Sequence, residues 1–279
     1  MKGQPEQSKV LPCCAREDEE SMEQTRILIC EDSQEGIFTG IYEAYERRCD
    51  PLRTKLQAGE EGNLCLFADY IQVVPDPGKA EKMARTLRRR FGAECYEQIC
   101  LALSSRQEDK GQAVYRTVAE GLSGRVKGEL MAHLGNPFVA RTFALARAAG
   151  NESHHLLGFL RFEETKSGLL FARIRPKNNV LAHMMPHFAD RFPGENFVIL
   201  DEGRRLYGVH PAHGEWFLAV REEGAELPGP ELSEGELQMQ ELFRFFCRKI
   251  MIKERENRTL QRQMLPYRFQ EYMVEFGGK

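Results

Sequence analysis

Short runs of apolar residues that alternate with polar ones predict several β-strands along this chain. The runs lie at residues 26–31, 64–74, 157–163, 169–175, 196–201, 205–210 and 215–220. The connections at residues 166–168 and 213–214 are short enough for hairpins, which join antiparallel neighbours. We therefore expect an antiparallel sheet.

Helical spacing of apolar residues predicts helices at residues 37–48, 79–91 and 180–192, and an all-helical stretch at about residues 94–150. Gly92 is expected to end the helix at 79–91. Asn136 with Pro137 marks the start of a later helix, and Gly150 marks its end. Residues 1–22 predict a disordered extension, with Met22 as an alternative start. The predicted fold class is α+β: a single domain, residues 23–279, with an antiparallel sheet, a helical insert and C-terminal basic amphipathic helices.

The C-terminal residues 243–276, taken as one helix, place arginines on one side and apolar residues on the other. Within an arc of roughly 80° lie Arg244, Arg248, Arg255, Arg258 and Arg262, and Arg268 follows. The opposite side carries Leu242, Phe246, Ile250, Leu260 and Met264. We expect the apolar side to dock on the protein's own domain. The arginines then either bind a polyanion or form salt bridges with the protein's own carboxylates.

The distribution of charge along the chain indicates a basic C-terminal surface more clearly than the net charge does. The chain of 279 residues carries a net charge of −3, yet residues 244–268 hold eight basic residues and only two acidic ones. A second basic cluster comprises Arg85, Arg88, Arg89 and Arg90. No apolar run approaches the ~18 residues of a membrane span and no signal peptide is evident, so we expect a cytoplasmic protein without a membrane partner.

Candidate catalytic chemistry is sparse. The eight cysteines form no C-x-x-C pair, which predicts reduced and mostly buried thiols. His183 and His187 are four residues apart, and His210 and His213 flank a hairpin. These four histidines either form capping or core hydrogen bonds or hold a metal. We favour the hydrogen-bonding role for these histidines, and expect neither a metal nor a cofactor. Asp201, near Arg204 and Arg205, forms either a turn salt bridge or part of a phosphate pocket.

Two further basic residues are predicted to lie in strands beside aromatic residues. Arg161 and Arg173 alternate with Phe162 and Phe171. Basic and aromatic side chains on one sheet face form either a nucleic-acid platform or an ordinary solvated face, and the solvated face is the more common case.

Three separated motifs resemble a bacterial family described as probable DNA metabolism proteins. They are GFLRF (158–162), PHFADRF (186–192) and ERENRTLQRQMLPYRFQEYMVE (254–275), preceded by EGIFTGIYEAYE (35–46). The resemblance implies a domain of unknown function that is encoded beside DNA-repair radical-SAM proteins and sometimes fused to uracil-DNA-glycosylase-like domains. Its motif positions here are Arg161, His187, Phe188, Arg191, Arg255, Asn257, Gln261 and Pro266. Phe269 departs from the pattern, since the family is expected to carry a larger aromatic residue there.

Three functions follow as hypotheses. The first is a DNA-binding accessory protein in repair or base modification that acts with a radical-SAM partner. The second is a metal-assisted nuclease or glycosylase-like enzyme centred on His183, His187 and Asp201. The third is a protein-interaction module without DNA contact. A buried cluster of the three candidate catalytic side chains in an open pocket favours an enzyme, whereas a continuous basic groove with the histidines packed away favours the first hypothesis.

Overall fold

The computed structural model describes residues 25–59, 65, 67–126, 128–220 and 231–276. The predicted disordered extension, residues 1–22, lies outside these residues.

The first sheet has three parallel strands, β1 (Thr25–Cys30), β2 (Thr54–Ala58) and β3 (Ala68–Gln72), in the order β2-β1-β3. Helix α1 (Gln34–Glu46) links β1 to β2, and a helical crossover of this kind returns the chain parallel to its starting strand. Ser33 caps α1 by accepting a hydrogen bond from the Gly36 amide at 2.9 Å. The sequence therefore predicted β1 and α1 but not β2 or the parallel pairing.

A helical layer follows, made of α2 (Pro77–Leu103), α3 (Lys110–Leu122), a 3-10 turn (Leu130–Ala132) and α4 (Pro137–Phe159). Gly92 interrupts α2 with φ 86°, which confirms the predicted break. Asn136 caps α4 as predicted, but the predicted end at Gly150 is wrong. The helix continues because Leu156, one turn and a half beyond Gly150, is buried in a second core, and this gain exceeds the ~1 kcal/mol cost of a helical glycine.

The second sheet contains β4 (Glu163–Glu164), β5 (Leu170–Ile174), β6 (Phe197–Asp201), β7 (Leu206–His210) and β8 (Phe217–Val220), in that order. The hairpins β4–β5 and β7–β8 are antiparallel, as predicted. However, β5 and β6 run parallel, because helix α5 (Leu181–Arg191) crosses between them. The molecule is thus a mixed α/β protein with one parallel and one mixed sheet, and the predicted antiparallel sheet is wrong.

Two hydrophobic cores lie under the two sheets, and α4 contributes to both. Val139 and Ala146 of α4 pack with the first sheet and α1–α3. Ala149 and Leu156 pack with α5 and the second sheet. Of the described cysteines, Cys30, Cys49, Cys95 and Cys100 are buried, and burial raises the pKa of the Cys30 thiol to about 12.

The chain ends in α6 (Glu234–Ile250), a 3-10 turn (Lys253–Arg255), α7 (Arg258–Met264) and α8 (Tyr267–Gln270). Among these, α8 packs against α4. Within the residues that the structure describes, no helix is both long and apolar enough to span a bilayer.

Candidate functional site

Helix α6 is fixed to the body of the protein through its first turn and its middle. Ser233 caps its first turn by accepting a hydrogen bond from the Glu236 amide at 3.0 Å. Gln240 is buried and donates to a Glu163 carboxylate oxygen at 3.3 Å. One turn later, Arg244 Nε donates to the Val274 carbonyl at 3.1 Å. Beyond this point the helix leaves the body.

The predicted single helix over residues 243–276 is wrong, because the segment is interrupted at three places. Met251 and Ile252 are extended after the end of α6. Asn257 then starts a new helix, since its side-chain oxygen accepts a hydrogen bond from the Leu260 amide at 3.0 Å. Pro266 separates α7 from α8, as a residue without an amide hydrogen commonly does. The arginines therefore lie on several short elements and not on one continuous stripe.

Residues 245–264, which we call the C-terminal arm, are all exposed except Cys247. The arm contains six Lys or Arg residues and two Glu residues, a net charge of +4 on a chain of net charge −3. Only one of the two acids, Glu256, forms an ion pair with an arm cation in the described part of the chain, with Arg258 Nε at 2.9 Å. This pairing raises the pKa of Arg258 through the hydrogen bond to Glu256. The arm is thus a solvent-exposed segment with an excess of cations.

The six predicted nucleic-acid-binding arginines separate into two groups. Arg244 contacts the Val274 carbonyl, and Arg268 forms an ion pair with buried Glu152 at 3.2 Å, so both hold the C-terminal segment in place. The arm itself presents the other four, namely Arg248, Arg255, Arg258 and Arg262.

The apolar side of the predicted helix does not dock on the protein's own domain. Phe246 is 53% exposed, Ile250 59% and Met264 68%, and Leu242 and Leu260 are similar. The sequence did not single out Phe245 and Tyr267, whose rings are also exposed. Each ring lies near a cation. Lys249 Nζ is 5.3 Å from the Phe245 ring centre, and the Arg262 guanidinium is 6.0 Å from the Tyr267 ring centre. Helical periodicity reports an apolar face but not what covers it, so no sequence signal distinguishes a docked face from a free one.

A groove of about 470 Å³ lies on the arm between the end of α6 and α7. Its apolar wall is formed by Ile250, Ile252 and Leu260. Three residues of the family-like motif, Arg255, Asn257 and Gln261, line the same groove. The arm therefore combines polar, cationic and apolar side chains in one concave surface.

The candidate catalytic residues have separate surroundings. His183 Nε2 shares a hydrogen bond of 2.7 Å with Ser104 Oγ, and burial lowers the pKa of this imidazole. His187, one turn later on α5, is exposed. Asp201 is fully buried at the end of β6, where it accepts hydrogen bonds from the Gly203 and Arg204 amides of the following turn and pairs with the Arg204 guanidinium at 2.9 Å. Of the two interpretations of Asp201, the geometry matches the turn salt bridge.

The described residues contain no group of three or more His, Cys, Asp or Glu side chains placed to hold a metal ion. His210 is buried, stacks on Phe197 and contacts the Glu195 carbonyl at 3.0 Å, as expected for a core histidine. His213 lies in the β7–β8 turn with φ 59°.

The remaining motif residues organise the second core and its border. Arg161 is not in a strand as predicted; it follows α4 and pairs with Glu275 at 2.8 Å. Phe162 packs edge-on against buried Phe188, with ring centres 5.3 Å apart. Neither Arg161 nor Phe162 therefore lies on a sheet face, as both alternatives for this group had assumed. Arg191 is exposed in the last turn of α5. Phe171 and Arg173 do share one face of β5.

Sequence reasoning also missed Glu152, which is buried in α4. Its carboxylate accepts hydrogen bonds from the Lys177 and Asn178 amides at 3.0 and 2.8 Å and from the Asn178 side chain at 2.7 Å. With the Arg268 ion pair, this carboxylate connects α4, the loop after β5 and α8.

Fold and site together define a mixed α/β protein with an exposed, cationic C-terminal arm. The chain belongs to the family of the domain of unknown function DUF4130, whose model matches residues 108–275. The match includes all of the second sheet and the whole arm. No curated protein matches the chain.

Proposed function

We propose that this protein is a DNA-binding accessory factor in DNA repair or base modification, and that the C-terminal arm contacts the DNA. The observation that carries the proposal is the exposure of four arginines on a segment of net charge +4, since exposed cations bind phosphates by releasing counterions. The proposal also rests on the resemblance of residues 254–275 to the DNA metabolism family.

The second step of the proposal is a partner with radical-SAM chemistry. The resemblance supplies the class of partner, and the exposed apolar side chains of the arm supply a surface on which a protein could dock. A protein-interaction module without DNA contact is therefore the second candidate function, favoured by the same apolar side chains.

The proposed DNA contact is tested by fluorescence anisotropy at fixed low salt with labelled single- and double-stranded DNA. Replacing Arg255 and Arg258 by alanine should weaken binding by at least about tenfold, because two phosphate contacts are lost. Arg89→Ala with Arg90→Ala is the matched control, because it removes two equally exposed cations from α2. Equal losses in both double variants would refute a specific role for the arm.

The proposed partnership is tested by co-purification of the tagged protein with a radical-SAM protein of the class that the family resemblance implies. Retention of the complex in the wild type and its loss in Phe246→Glu would support docking on the apolar side of the arm. No complex at micromolar concentrations would leave DNA contact as the sole proposed role of the arm.

A further inference from the structure

A small cavity lies beside β5, away from the arm, and every charged side chain that lines it is an arginine. The cavity encloses about 10 Å³ and is bounded by Arg173 and Arg175 from the β5 segment and Arg268 from α8. Its apolar walls are Phe159 and Phe269. No acidic residue contributes to the lining.

Strand β5 exposes this edge because its outer neighbour is short. The two residues of β4 pair only with Phe171 and Leu170, so the strand edge at Arg173 and Ile174 has no strand beside it. The end of α4, with Phe159 and Leu160, and the C-terminal segment, with Arg268 and Tyr272, close the cavity from outside. The chain therefore brings three distant segments to one point.

The hydrogen-bond and ion-pair partners of these three arginines do not use all of their donor groups. Arg268 pairs with Glu152 through Nη1, but its Nε is buried and has no hydrogen-bond partner. Arg173 reaches Glu163 only at 3.5 Å, and no ion pair involves Arg175 in the part of the chain that the structure describes. An unsatisfied buried donor is unfavourable, and an anionic oxygen in the cavity would give the Arg268 Nε an acceptor.

We propose that this cavity is a binding site for a phosphoryl group. Its volume admits one oxygen-sized atom, so a single phosphoryl oxygen enters while the others remain at the mouth, within reach of half-buried Arg173 and exposed Arg175. Guanidinium groups bind phosphate through paired, charge-assisted hydrogen bonds. The aromatic rings already support two of the arginines: Arg173 lies 5.6 Å from the Tyr272 ring centre and Arg268 4.5 Å from that of Phe269.

The site is tested with the full chain and inorganic phosphate, by isothermal titration and by thermal unfolding at constant ionic strength set with chloride. Phosphate should bind with a saturable isotherm and raise the unfolding temperature. Arg175→Ala should reduce the phosphate affinity by about tenfold or more, since it removes a charge-assisted hydrogen bond to the phosphoryl group. Arg147→Ala is the control. It removes an exposed arginine that lies on α4, outside the cavity, and should leave the phosphate affinity unchanged.

Equal phosphate affinities in the Arg175→Ala and Arg147→Ala variants, or no phosphate effect beyond that of chloride, would overturn the proposal. Competition by a ten-nucleotide single strand against phosphate identifies the source of the phosphoryl group: displacement indicates a nucleic-acid backbone, and its absence indicates a free phosphate or a small phosphate ester. Arg255→Ala with Arg258→Ala should not alter phosphate binding, so failure of the arm proposal and failure of this site are distinguishable.

Discussion

Individual buried polar residues fix the C-terminal half of this protein. Glu152 is only 3% exposed and satisfies two backbone amides, an asparagine side chain and Arg268 at once. A carboxylate buried in this way is tolerated because each of its lone pairs has a donor. This one residue therefore holds together α4, the loop before α5, and α8.

Glu152→Ala should lower the free energy of unfolding by about 3–5 kcal/mol, because it leaves buried amides and a guanidinium without their acceptor. Urea unfolding monitored by circular dichroism measures the change. Glu81→Ala is the control, since Glu81 and Arg85 form an exposed pair on α2, and it should cost less than about 1 kcal/mol. Similar effects of the two substitutions would contradict the role assigned to Glu152.

His183 should make stability depend on pH in the weakly acidic range. Burial lowers its pKa in the folded protein below the ordinary value of 6.5, so the unfolded chain binds the proton more readily. The contribution of His183 is therefore complete above pH 6.5 and is lost as the pH falls through and below that value. His183→Gln, which can still contact Ser104 but does not titrate, should flatten this part of the stability curve.

Unfolding free energies at pH 7.5 and 5.5 measure this effect, with exposed His187→Gln as the control. Identical pH dependence in the wild type and His183→Gln would contradict it. The sequence could predict that both histidines lie on α5, but not that His183 meets Ser104, because that contact joins residues 79 positions apart.

At the level of elements, the local sequence predicted single helices and strands better than their pairing. Strands β5 to β8 and helices α1 and α5 follow from apolar spacing, and α3 lies within the predicted helical stretch. Strand β2, TKLQA, was missed because its five residues contain only one large apolar side chain. Without it the parallel unit β1–α1–β2 could not be inferred. The extension of α4 beyond Gly150 depends on burial in the second core, which local sequence does not report.

Asn257 should control the stability of α7, a helix of only seven residues. Asn257→Ala removes the hydrogen bond to the Leu260 amide and should cost about 1 kcal/mol, equivalent to roughly fivefold faster amide exchange in α7. Hydrogen–deuterium exchange of a peptide covering residues 256–266 measures this. Asn257→Asp should retain the cap and the slow exchange. Unchanged exchange in the alanine variant would show that something other than the cap holds α7.

At the level of the whole molecule, the C-terminal arm is the feature that sequence reasoning placed least well. Its charge and amphipathic composition were evident, but its apolar side was expected to be covered by the domain and is exposed. Whether such a face is covered depends on long-range contacts, and the hydrogen bonds that fix α6 to the body come from Ser233, Gln240 and Arg244, before the arm begins. The arm is consequently available to a partner on all sides.

Limited proteolysis with trypsin should cut the arm first among the described residues, because all six of its basic residues are exposed and few tertiary contacts hold it. Mass spectrometry of the early fragments should show cleavage between residues 248 and 262 before cleavage at Arg85 or Arg88 in α2. Earlier cleavage in α2 would indicate that the arm is held against the body in solution.

The salt dependence of DNA binding tests the central claim most directly. If Arg248, Arg255, Arg258 and Arg262 each neutralise one phosphate, the logarithm of the duplex affinity should fall with the logarithm of the salt concentration with a slope of about −3.6. Arg255→Ala with Arg258→Ala should reduce this slope by about half. A slope near zero, or a slope that the double substitution leaves unchanged, would contradict the assignment of the arm as the DNA contact.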